Sequence, residues 1–284
     1  MLMTSKERIN KILDFETPDR IGVHDAFLDS TIKDWEKDGL PTDISLEDYF
    51  DFDIRVIDID DALSKDSLRY KDDERFLCFS FSEPFQALSS AFGREETLKK
   101  LILYPKDTEK ELRLETDRIL NSLDAIVKKK ELKIDGAWVW GDLAYNRGLF
   151  FSLSFYERVL LRLHKEIFNF LNSCGLPIFF HSDGNIIDLI PHLLDAGIRA
   201  IHPLEEASGM DINKLFREYK EKMVFMGYFN IGNMLKDRGV FKERIRMLRD
   251  NCSYIYQADY PIMPDMSFED YSDAIEAVRR EGLY

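Results

Sequence analysis

Short apolar runs alternate with longer amphipathic stretches from one end of the chain to the other. Runs such as Gly136-Ala137-Trp138-Val139-Trp140 are strand-length, whereas 108–130 and 154–173 place apolar residues at helical spacing. The apolar runs predict eight strands, near 21–25, 54–59, 76–81, 136–140, 177–181, 200–203, 223–228 and 254–257. Predicted helices include 5–15, 108–130, 154–173, 186–196, 212–219, 241–251 and 268–281, with Gly197 stopping the helix before it. Strand followed by helix is the repeat of a parallel α/β protein. Closing the eight strands removes both sheet edges, so the expected architecture is an α/β (β/α)8 (TIM) barrel. It is expected to be one domain over 1–284, with an extra helical piece at its N-terminus. A doubly wound open sheet is the alternative, but the Gly-rich phosphate turn it would normally carry after an early strand is missing.

The most informative polar run closes the fifth strand, where His181-Ser182-Asp183-Gly184-Asn185 follows the apolar Leu176 to Phe180. Side chains alternate along a strand, so His181 and Asp183 share a face and can address one ligand, metal or proton, while Ser182 points away. In a barrel, the polar groups at the other strand ends converge on the same mouth. The fourth strand ends at Asp142, with Tyr145 and Arg147 beyond it. His202 and Glu205 follow the sixth, Tyr228 and Asn230 the seventh, and Gln257, Asp259 and Tyr260 the eighth. His24 ends the first strand, Asp58, Asp60 and Asp61 the second, and Glu83 the third. Arg147 is the one obvious guanidinium in this set. Crowded carboxylates either bind a metal or raise one another's pKa. Some acids merely cap helices, and Asp211 and Asp61 are candidates for that. His164 and His192 fall within helical patterns and read as structural or solvated.

Composition narrows the partners. A formal net charge of -14 opposes nucleic acid and anionic membranes, because both require a basic surface. Residues 1–13 are charged throughout without an apolar leader core, and no apolar run approaches the roughly 20 residues of a membrane span, so a cytoplasmic location is expected. Cys78, Cys174 and Cys252 are odd in number and far apart, and read as reduced core residues. The basic runs 128–130 and 244–249 read as solvated helix faces.

Several ordered motifs carry a family resemblance. They are Thr4-Ser5-Lys6-Glu7-Arg8, Thr17-Pro18-Asp19-Arg20, Trp140-Gly141-Asp142-Leu143-Ala144-Tyr145 and His181-Ser182-Asp183-Gly184-Asn185. His202-Pro203-Leu204-Glu205 with Gly209-Met210-Asp211, and Pro264-Asp265-Met266-Ser267-Phe268-Glu269, complete the set. Over nearly the whole chain this resembles the uroporphyrinogen decarboxylase superfamily, in its decarboxylase-like and corrinoid methyltransferase branch. The resemblance implies a barrel with its site at the C-terminal mouth.

The family has two well-defined chemistries, and the chain departs from both. Haem-pathway decarboxylases carry Arg-Gln-Ala-Gly-Arg after the first strand, where this chain has His24-Asp25-Ala26-Phe27-Leu28-Asp29 without arginine, although Asp58 matches the position of their catalytic aspartate. A polyanionic tetrapyrrole would lack its guanidinium partners. Corrinoid-linked methyltransferases hold zinc through His-x-Cys and a later ligand. Here the pair reads His181-x-Asp183 and the later position falls at Asp259 or Tyr260.

The resemblance therefore implies a corrinoid-linked methyltransferase or demethylase subunit acting on a small methylated substrate. It would carry zinc or another divalent metal on His181, Asp183 and Asp259 and take its corrinoid from a partner protein, and a homodimer is a further expectation. The expected catalytic set is His181, Asp183, Asp142, Tyr145 and Tyr260, with Glu205, His202, Asp58, Arg147 and His24 binding substrate. Two alternatives stay open: uroporphyrinogen decarboxylation, a lyase reaction, and a degenerate non-catalytic binding barrel. The second arises because the connection 61–75 is shorter than the family's usual insertion, which implies a more open, wetter mouth.

Overall fold

The structure is a computed structural model describing residues 3–284. Its eight-stranded sheet comprises β1 (Gly22–Val23), β2 (Ile54–Asp58), β3 (Phe76–Ser82), β4 (Gly136–Trp140), β5 (Ile178–His181), β6 (Ala200–His202), β7 (Val224–Met226) and β8 (Tyr254–Tyr256). Each strand pairs in parallel with its neighbours in the order β1-β8-β7-β6-β5-β4-β3-β2. The β1–β2 seam has no ladder of its own. Asp53 closes it, its amide donating to the Val23 carbonyl at 2.8 Å and its carboxylate accepting from the Val23 amide at 2.8 Å. The result is the (β/α)8 barrel that the apolar periodicity predicts.

Strand alternation divides the core in two. Ile57, Leu77, Phe79, Val139, Phe180 and Ile201 face the helices. Ile54, Phe76, Trp138, Phe179, Val224 and Ile255 fill the barrel interior, joined by Ile9, Ile12 and Leu13 from the N-terminal helix Ser5–Leu13. That helix therefore plugs the barrel floor. Gly22 allows the contact, since a Cβ there would lie 2.8 Å from Ile9 Cδ1. The N-terminal motif is bolted to the seam: Arg8 and Arg20 each donate to Asp53 at 2.6 Å, and Arg8 also holds Asp19. Asp53 is fully buried, so its charge is tolerated only because these guanidinium groups neutralise it.

Several local expectations are corrected. The helix expected over 186–196 spans only Ile190–Ala196, because Pro191 has no amide to donate and sits in the first turn. The expected 154–173 helix contains a π-helical turn, Tyr156–Leu160, ahead of Leu161–Ser173. Asp29–Lys37, Pro84–Phe92 and Arg94–Leu103 are further helices. Asp211 caps its helix as expected, whereas Asp58 rather than Asp61 caps Ile59–Leu63. Cys78 is buried, but Cys174 is exposed and Cys252 half-buried; all are free thiols. Lys129 is not a solvated-face residue, since its ammonium donates to the Ala62 carbonyl and Ser67 Oγ and fastens the connection after β2. No helix among the described residues is long and apolar enough to cross a membrane.

Candidate active site

Parallel register sets three rings at one height of the barrel mouth: Trp140 pairs with His181, and His181 with His202. His181 Nδ1 lies 2.8 Å from His202 Nδ1, and His202 Nε2 lies 3.0 Å from the Ala258 carbonyl oxygen. A carbonyl oxygen only accepts, so the network places the His202 proton on Nε2. Its Nδ1 then accepts from His181 Nδ1–H. Both rings are neutral, because burial drives His181 down to about 4 and holds His202 well below the usual histidine range. His181 Nε2 is therefore left with a bare lone pair.

That lone pair faces carboxylates. Asp142 Oδ1 is 3.6 Å and Asp183 Oδ1 3.5 Å from His181 Nε2. The ligand atoms of all three residues lie within 4.8 Å of one another. Asp183 Oδ1 is buried without a hydrogen-bond partner. Burial, followed by the charges of Asp142, Glu205 and Asp259, pushes the Asp183 carboxyl up to about 7. When Asp183 is ionised the three groups present only lone pairs to one another and repel, and a cation among them would reverse the sign of the interaction. One imidazole nitrogen and two carboxylate oxygens suit zinc or a similar divalent ion, and three protein ligands are the complement of catalytic zinc sites.

The surrounding groups hold this arrangement. Asp142 Oδ1 accepts from the Asp183 amide at 3.2 Å, and Arg94 donates to the Asp142 carbonyl at 2.7 Å and reaches Oδ2 at 3.4 Å. Glu205 Oε2 accepts from the Gly184 amide at 2.8 Å and from Ser208 Oγ at 2.6 Å, which fixes the turn after β5. Gly184 has a φ of +85°, and a Cβ there would lie 2.7 Å from the Tyr145 backbone, so only glycine fits this turn. Ser182 points away from the site as expected and binds the Leu143 amide.

The expected site residues separate into groups. His181, Asp183, Asp142, Glu205 and His202 come together. Asp259 lies close by, but its Oδ1 accepts from the Tyr228 and Phe229 amides at 2.6 and 3.1 Å, and Asp142 takes the place expected for it among the three converging donors. Tyr260 is partly exposed, and burial and Glu205 push its phenol up. Tyr145 contributes its backbone, its carbonyl accepting from the Asn185 amide at 2.9 Å, while its exposed ring stacks on Phe150. Arg147 is exposed in the turn between Ala144–Tyr145 and Gly148–Leu149, which pair antiparallel, and the cation at the carboxylates is instead Arg94, brought in by a helix whose sequence shows no motif. Asp58 is exposed and spent as a helix cap, its Oδ1 accepting from the Asp60 amide at 2.8 Å.

His24 stands apart from the Asp142, His181 and Asp183 cluster. It lines a cavity of about 540 Å³ inside the barrel, on the β1–β4 side, with Phe27, Phe52, Trp138, Trp140 and Gln257. Its outer wall includes Ile44 and Leu46, so the segment between β1 and β2 supplies cover that the short connection after β2 does not. Trp140 is shared: it lines the cavity, and its ring centroid is 4.7 Å from that of His181. A larger cleft of about 800 Å³ lies by the N-terminal helix, but its arginines Arg8, Arg20, Arg55 and Arg75 are each paired with carboxylates.

Fold and site thus define a (β/α)8 barrel with an imidazole–carboxylate cluster at the carboxyl ends of its strands. The sequence profile of the uroporphyrinogen decarboxylase (URO-D) family matches residues 67–281, and the chain belongs to that family. No curated protein matches the sequence. Among solved structures, a methyltransferase from Methanosarcina mazei is similar at 13% identity, with a TM-score of 0.72, covering 98% of this chain and 99% of that one. The likeness establishes the fold. The YdhT protein from Bacillus subtilis (11% identity, TM-score 0.44, 91% and 89% covered) and the IOLI protein with a bound zinc atom (8%, 0.38, 81% and 96%) are more distant.

Proposed function

We propose that the protein is a metal-dependent enzyme of methyl transfer, moving a methyl group between a small methylated substrate and a corrinoid carried by a partner protein. The observation that carries this reading is the convergence of His181 Nε2, Asp142 Oδ1 and Asp183 Oδ1, with His181 Nδ1 already engaged by His202. Those three residues would hold the ion. When bound, a divalent cation supplies Lewis acidity, which makes a coordinated heteroatom a better nucleophile or leaving group. His202 keeps His181 in the ligating tautomer, Arg94 holds Asp142, and Glu205 holds the Gly184 turn. Without the ion the Asp183 carboxyl sits near 7, so a cation bound at neutral pH would displace its proton. Tetrapyrrole decarboxylation is the weaker reading, since among the described residues no lysine or arginine lines the cavity beside the site to meet a polycarboxylate.

The test is metal content and methyl transfer measured together. Wild-type protein should retain a divalent ion and change the absorption of added methylcobalamin when a thiol acceptor is present, and His181→Ala should lose both. Turnover of uroporphyrinogen to coproporphyrinogen, or corrinoid chemistry indifferent to metal removal, would overturn the proposal.

A further inference from the structure

The cavity beside the metal ligands carries a signature of its own. Aromatic faces dominate its walls. Trp138 and Trp140 lie 5.7 Å apart on one side, and Phe27 and Phe52 are stacked at 6.1 Å on the other. His24 stands between them, 5.4 Å from Trp138 and 6.1 Å from Phe52. Roughly 300–1,000 Å³ is the usual range for small-molecule sites, and this cavity falls within it.

Three of its polar groups are unpaired. His24 Nδ1, Trp138 Nε1 and Gln257 Oε1, all on lining residues, are buried and have no hydrogen-bond partner among the described residues. Three unsatisfied groups in one apolar cavity cost stability unless a ligand serves them. The Trp138 indole and the Gln257 amide carry no charge, and burial lowers His24 to about 4. The two carboxylates that line the cavity are already committed. Asp25 accepts from the Tyr271 hydroxyl and from the Ala258 and Ala26 amides, and Glu47 is 3.4 Å from Arg55. A cation would find no free counter-charge, and an anion would meet two acids and no lysine or arginine.

We infer that this cavity binds an uncharged, flat aromatic molecule that both donates and accepts a hydrogen bond. The ring packs between the tryptophan and phenylalanine faces, while Gln257 accepts from its donor edge and Trp138 donates to its acceptor. Trp140, shared with His181, sets the end at which a substituent would meet the metal ligands. Only that last point rests on the reading proposed above.

Tryptophan fluorescence at pH 8 provides the test, with 4-methylphenol, benzoate and benzyltrimethylammonium as probes of similar size and different charge. The phenol should bind saturably, and the two ions at least tenfold more weakly. Gln257→Leu should weaken phenol binding about tenfold without lowering the unfolding midpoint, because it removes an unpaired acceptor. Val56→Phe, which adds a ring to the lining, should abolish binding by filling the space. Equal binding of either ion, absence of saturation, or wild-type affinity in both variants would overturn the inference. The same titration on His181→Ala separates the two proposals. Ring binding retained after metal loss leaves the cavity's role standing, and metal retained without ring binding in the wild type overturns the cavity alone.

Discussion

At His181 the position of one proton decides what the site can hold. The Ala258 carbonyl fixes the His202 tautomer, and His202 fixes that of His181. Replacing His202 by Phe should therefore reduce zinc affinity by about 10- to 100-fold, while His202→Gln, which can still accept from His181 Nδ1, should recover part of it; isothermal titration checks both. Asp25 carries a second prediction. Burial raises its carboxyl from 3.8 to about 7. Below its ordinary value both folded and unfolded states are protonated; above it the unfolded chain ionises first, so stability falls as pH rises toward 7 and stays reduced beyond. An asparagine could keep its oxygen on the two amides and donate to the Tyr271 hydroxyl. Asp25→Asn should therefore gain stability over the wild type at pH 8 relative to pH 5 in urea unfolding. His181 and Asp183 were legible as a pair because strand parity is a local rule. Arg94 was not legible, because an arginine opening a helix acquires meaning only when packing delivers it to Asp142.

The elements show what each segment contributes to the site. The N-terminal helix closes the floor, and the Arg8–Asp53–Arg20 cluster stands where β1 and β2 lack a ladder. Removing Asp53 leaves two buried guanidinium groups facing an apolar seam. Asp53→Ala should cost about 3–5 kcal/mol in urea unfolding. The π-helical turn at Tyr156–Leu160 accompanies a buried chain in which the Tyr156 hydroxyl meets His164 Nδ1 and His164 Nε2 meets Glu83, both at 3.0 Å. Apolar periodicity marks that stretch as a helix, and no local motif in it separates a π-helical turn from an α-helical one. Glu83 also caps Pro84–Phe92, which ties the end of β3 to the helix behind it.

On the scale of the whole molecule, the barrel holds acids in positions they would not choose. Asp25, Asp183 and Asp259 are each raised to about 7, with burial as the first cause. A divalent ion that binds only the folded state should offset part of this: at a hundred times its dissociation constant it adds about 2.7 kcal/mol, a rise on the order of 5 °C in melting temperature. Calorimetry with and without zinc, on wild type and His181→Ala, checks this, and the variant should show no shift. The sequence by itself determined the eight strands, the barrel class and the histidine–aspartate pair, because periodicity and strand alternation are properties of neighbouring residues. Only the tertiary structure decided that Asp142 rather than Asp259 completes the donor set, that Asp58 and Arg147 stay outside it, and that His24 belongs to a separate aromatic cavity. Those outcomes depend on backbone amides, packing and burial supplied by segments far apart in the chain, and no local pattern encodes them.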